Sequence, residues 1–90
     1  MRKVLHSVFK AYMHDTMLKT RDRIDLNQDE MAYSLSMSTR AYAALESGSS
    51  CCGLFTLIIF VLIYCPDRAD FFTGLFDAFD EALKTTSTVA

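Results

Sequence analysis

Between Asn27 and Gly48 the chain carries the start and stop signals of two short helices separated by only three residues. Asn27-Gln28-Asp29-Glu30 reads as a capping box. The Asn27 side chain can accept from the backbone N–H three residues on, and Glu30 can reach back to the cap. Asp29 and Glu30 also complement the positive end of the helix dipole. The pattern predicts a helix over Gln28–Leu35 with Met31, Ala32 and Leu35 on its buried face. Ser36-Met37-Ser38 is then a turn, and Ser38 caps a helix over Thr39–Ser47. Tyr42 and Leu45 form its inward pair, and Gly48 supplies a left-handed stop. Two short helices joined by a three-residue turn, with a small residue at their crossing, make a helix-turn-helix. Ala32, a small residue, stands where the backbones would meet.

The flanks also read as helix. Val4, Leu5, Val8, Phe9, Tyr12, Met13, Met17 and Leu18, then Ile24, recur in steps of three, four and one, which predicts one helix across residues 4–24. Leu54–Cys65 is a twelve-residue run whose only polar residue is Thr56, closed by Pro66-Asp67. Its β-branched residues would suit a strand, but no second strand is present to pair with it, so a buried helix is expected. Asp67 and Asp70 open a fifth helix to about Lys84, with Phe71, Phe72, Leu75, Phe76, Phe79 and Leu83 on its apolar side. Five helices in 90 residues give an all-α fold: a helix-turn-helix domain over 12–84, an N-terminal helical extension over 1–11 continuous with the first helix, and a frayed tail over 85–90. Hydrophobic residues at 51% and charged residues at 22% exclude a disordered charged tail as the whole chain.

Charge sets the character of the partners. The chain carries a net −2, which excludes a strongly basic nucleic-acid glue. Residues 1–48 hold seven basic and six acidic residues, a net +1, and residues 49–90 hold two and five, a net −3. An anionic partner is therefore expected on the first half. Cys51, Cys52 and Cys65 are odd in number and two are adjacent, so reduced thiols are expected rather than a disulfide scaffold. His6 and His14 are too remote to complete a zinc site, and no metal or other cofactor is expected. Met1-Arg2-Lys3 is not followed by an apolar signal core, because His6, Ser7, Lys10, His14 and Asp15 intervene. Leu54–Cys65 falls short of the about twenty residues a spanning helix needs. A cytoplasmic protein with no membrane partner is expected, and a bundle this small offers little room for a catalytic pocket.

The stretch Leu26-Asn27-Gln28-Asp29-Glu30-Met31-Ala32, with Leu35-Ser36-Met37-Ser38, Tyr42 and Leu45-Glu46-Ser47-Gly48, resembles the lambda-repressor-like (Cro/repressor-type) helix-turn-helix family. The likeness covers roughly residues 12–80. It implies a compact five-helix DNA-binding domain that reads duplex DNA and regulates transcription. It places Gln28 on a phosphate and Asn27 at the cap of the same helix. Ser38, Thr39, Arg40, Ala43 and Ala44 fall at or beside the positions that face base edges. An arginine such as Arg40 can take a guanine bidentately, for about 1–3 kcal/mol of discrimination. Thr39 would meet a thymine methyl or a phosphate, and Ser47 and Ser49 the DNA backbone. Arg21 and Glu46 match a pair that ties the first helix to the end of the third. Ser36 stands where relatives often have Gly, so a strained turn is expected.

The fourth and fifth helices carry more apolar surface than one small bundle can cover, and such an excess marks a partner surface. A homodimer through Phe60, Tyr64, Phe72, Phe76 and Phe79 is expected. A two-fold pair would set two reading helices about one DNA turn, roughly 34 Å, apart. The alternative is a protein-interaction module of the same fold, antitoxin-like or an anti-repressor partner, with weak DNA binding or none.

Overall fold

The computed structural model describes the backbone of residues 1–89 and the side chains of residues 1–85. The described residues form five α-helices: α1 (Arg2–Ile24), α2 (Gln28–Ser34), α3 (Thr39–Glu46), α4 (Leu54–Tyr64) and α5 (Arg68–Val89). The fold is all-α. Residues 2–11 run into the rest of α1 without a break. The backbone of α5 is helical to Val89, past the expected end near Lys84 and through residues 85–89 of the expected frayed tail; Ala90 lies outside the described residues.

Local chemistry sets each start. Asn27 Oδ1 accepts from the Glu30 N–H at 2.8 Å, and Glu30 Oε1 accepts from the Asn27 N–H at 3.0 Å, so the capping box closes at α2. Ser38 Oγ accepts from the Ala41 N–H at 3.1 Å at the head of α3, and Asp67 Oδ1 accepts from the Asp70 N–H at 2.9 Å at the head of α5. The first three helices end alike. The N–H of Leu26 reaches back to Arg21 O at 3.1 Å, that of Met37 to Ala32 O at 3.0 Å and that of Ser49 to Ala44 O at 3.1 Å. Each return bond spans a left-handed residue, in the Schellman manner. These residues are Asp25 (φ 57°), Ser36 (φ 57°) and Gly48 (φ 81°), and only the last is the residue for which that conformation is free of strain.

The core takes Met13 and Met17 from α1, Met31, Ala32 and Leu35 from the α2 region, Tyr42 and Leu45 from α3, Phe60 and Val61 from α4, and Phe71 and Leu75 from α5. Unbranched methionines fill the irregular space between the helices. α1 is the spine: it packs on both α3 and α5, while α2 leans on α3 and α4 on α5. Tyr12 donates from its hydroxyl to Phe71 O at 2.8 Å and meets the Phe71 ring edge-on, which fixes α1 against α5. A Cβ on Gly74 would stand 2.6 Å from that hydroxyl, so the close approach depends on a glycine there. All three cysteines are free thiols, and burial pushes Cys52 up to about 11. No helix of the described residues is long and apolar enough to cross a membrane.

Candidate nucleic-acid interface

The orientation of α3 is fixed by one buried carboxylate. Glu46, on the last turn of α3, is 5% exposed and accepts four hydrogen bonds. Arg21 gives two from α1, Nε to Oε2 at 2.7 Å and Nη2 to Oε1 at 2.8 Å. The Tyr42 hydroxyl gives one to Oε2 at 2.6 Å, and Gln28 Nε2 one to Oε1 at 3.1 Å from the first turn of α2. The four bonds, from three residues, occupy the roughly four lone-pair directions of an ionised carboxylate. Arg21 Nη1 also donates to Leu26 O at 3.2 Å in the link between α1 and α2, and His14 Nδ1 meets the Glu46 carbonyl oxygen. Three helices are thereby tied to one side chain. The bidentate guanidinium holds the Glu46 carboxyl down to about 2, against the opposing effect of burial, with Tyr42 and Gln28 adding to the depression. The same contact raises Arg21, and burial beside a carboxylate raises the Tyr42 phenol.

With α3 held at that end, its leading turn faces outward. Ser38, Thr39, Arg40 and Ala41 are all exposed, whereas Tyr42, Leu45 and Glu46 face the core. The surface therefore presents the N-terminal end of a helix, the part that a major groove about 12 Å wide can admit.

The hydroxyls on this surface are largely occupied. Thr39 Oγ1 donates to Asp29 Oδ1 at 2.5 Å across the α2–α3 crossing. Ser47 Oγ donates to Ala44 O at 3.1 Å, Ser49 Oγ donates to the same oxygen at 3.2 Å, and the two hydroxyls lie 3.1 Å apart. A hydroxyl has one proton, so a phosphate contact by Thr39, Ser47 or Ser49 requires giving up an internal bond. Ser38 Oγ and Asn27 Oδ1 serve as helix caps. Gln28 is half-buried, and one amide N–H goes to Glu46, which leaves the other N–H and the carbonyl oxygen for an outside partner. Ala43 and Ala44 are half-buried beside the tip. Arg40 is exposed and makes no ion pair among the described residues, so its five donors stand free.

Two features of the site escaped the sequence reading. Asp29, which the sequence marks only as a dipole complement, brings a carboxylate to the tip of α3. Gln28, which the resemblance places on a phosphate, and Tyr42, which the pattern places in the core, both complete the Glu46 cage. The register of the two short helices contains the second feature, because Gln28 starts α2 and Tyr42 lies one turn before Glu46.

Of the five residues expected at a partner surface, burial removes one. Phe60 is 0% exposed and fills the core against Phe71, with ring centroids 6.3 Å apart, so it cannot meet a second molecule. Tyr64 is half-buried, and its hydroxyl pairs with that of Ser34. Phe79 is half-buried against the core, and Phe72 and Phe76 are exposed. A second exposed apolar face lies on α4: Leu54, Phe55, Leu62 and Ile63, with Ile58 between them.

No protein-family profile matches this sequence, and neither the curated proteins nor the solved structures contain a match to it.

Proposed function

We propose that this chain is a sequence-specific duplex-DNA-binding regulator of transcription, of the lambda-repressor-like helix-turn-helix kind, that lays the tip of α3 in a major groove and acts in pairs. The observation that carries this reading is the exposed first turn of α3 on a helix whose other end is locked by the buried Glu46 cage. A rigid mount matters because base readout needs donors placed to within a fraction of an ångström. Arg40 is the reader, because its guanidinium is unpaired and matches a guanine edge. With a net charge of −2, affinity for random DNA is low and falls steeply with salt.

Selection of genomic DNA fragments by the purified protein, followed by fluorescence anisotropy, tests this. The expected outcome is enrichment of one sequence class. Arg40→Ala should then flatten preference at one base pair by roughly tenfold or more. Loss of all selectivity in the wild-type protein would remove the reading. A second reading, a protein-interaction module of the same fold, draws support from the Asp29 carboxylate beside the reading tip, which repels phosphate. That reading expects no enrichment at any salt concentration.

A further inference from the structure

Every residue of α4 is uncharged, and only Thr56 and the Tyr64 hydroxyl interrupt its hydrocarbon surface. At 100° per residue the helix divides into two faces. Leu57, Phe60, Val61 and Tyr64 turn inward, while Leu54, Phe55, Ile58 and Leu62 share an outward stripe that Ile63 widens. Phe55 is 74% and Leu62 58% exposed. At roughly 150–250 Å² for a large side chain, these five residues leave about 500 Å² of apolar surface bare. A standard interface covers roughly 800 Å² per partner, about 65% of it apolar in homodimers. The stripe therefore supplies the apolar share of one such interface.

The chemistry of the stripe selects the occupant. A two-fold interface sets a patch against its own copy, so any charge near the axis meets its like. α4 brings none, whereas the outer face of α5, with Asp70, Asp77, Asp80 and Glu81, would repel its copy. An anionic lipid surface would want basic residues flanking the apolar face. Here Asp67 and Asp70 flank it, with Arg68 between them. We infer that the outward face of α4 is the surface through which two copies of this chain pair, with Phe55, Ile58 and Leu62 at its centre. The inference rests on the DNA-binding reading only in supplying the second copy that reading needs.

The mass of the full chain in solution without DNA is the deciding measurement. Light scattering across the micromolar range should give about twice the 10.2 kDa of one chain. Phe55→Glu and Leu62→Glu, both at exposed positions, should each give a single-chain mass with an unchanged helical circular dichroism spectrum. Should either variant lose that spectrum, Phe55→Ala with Leu62→Ala, which adds no charge, takes its place and is expected to be monomeric at concentrations where the wild type is paired. Phe76→Glu, on α5, should stay paired. A wild-type monomer overturns the inference, as does pairing that survives the α4 changes or is lost with Phe76→Glu instead. A monomeric wild type that pellets with phosphatidylserine vesicles overturns it in favour of a lipid surface. DNA selection is a separate measurement. A paired protein that selects no DNA sinks only that reading. If DNA is selected, the monomeric variants should bind it roughly a hundredfold more weakly.

Discussion

Glu46→Gln probes the Glu46 cage through pH. The folded protein releases the Glu46 proton at about 2, and the unfolded chain at the usual 4.5. Between those values the unfolded state binds more protons, so acid favours unfolding. The contribution of the carboxylate is fully present above about pH 5 and is lost as the pH falls through 4.5 towards 2. A depression of this size corresponds to about 3 kcal/mol in total, of which about 2 kcal/mol is gone by pH 3. Against a total stability of roughly 5–10 kcal/mol for a small domain, that loss is large. Glutamine keeps the shape but removes the titrating group, and it leaves Arg21 beside a neutral amide. The variant is therefore less stable at pH 7, and the gap between the two proteins should shrink by about 2 kcal/mol at pH 3. Urea unfolding followed by circular dichroism at both pH values measures the gap. A gap that is the same at pH 3 as at pH 7 would mean that the carboxylate is not held ionised by its partners, and the account of how α3 is mounted would fail.

Three further changes have expected outcomes. Ser36→Gly relieves a left-handed residue that makes no side-chain hydrogen bond among the described residues, and thermal unfolding should show a gain of about 0.5–1 kcal/mol. A loss would place a hidden role on the Ser36 hydroxyl. Gly74→Ala should destabilise the wild type by displacing the Tyr12 hydroxyl from Phe71 O. In a Tyr12→Phe background the same change should stabilise by about 1 kcal/mol, because only the gain in helix propensity remains. The same sign in both backgrounds would refute the steric account. Asp29→Asn removes the carboxylate beside Thr39 and should strengthen DNA binding several-fold in an anisotropy titration, with the larger gain at low salt. Unchanged affinity would place Asp29 away from the phosphates.

What could be read in the sequence was local. Asn27 with Glu30, Ser38, Gly48 and Pro66 act within three or four residues of themselves, and they bound α2, α3 and α4 to within a residue of where the helices lie. The Arg21–Glu46 contact came with the family likeness, and in the structure it joins at 2.7 Å. The face of α4 could not be read. A helix that is apolar almost all round carries no phase information, so nothing in the run distinguished buried Phe60 from bare Phe55. The packing of Phe60 against Phe71 of α5 decided it. The Thr39–Asp29 bond was hidden for a related reason. It spans ten residues and two helices, and depends on the crossing angle rather than on any spacing along the chain.

The position of α2 links stability to the orientation of α3. Seven residues are too few to hold a helix alone. The left-handed residues that bracket it, Asp25 at the end of α1 and Ser36 just after α2, are not glycine, and a left-handed conformation costs such a residue about 1–2 kcal/mol. Met31 and Ala32 bury its inner face, and Gln28 fastens its first turn to Glu46. α2 therefore keeps its place through burial and through the same carboxylate that orients α3. A chain under selection only for stability would gain by placing glycine at position 36, as it does at 48. Strain tolerated beside the turn that sets the angle between two helices fits a segment whose geometry, more than its stability, is what the protein uses.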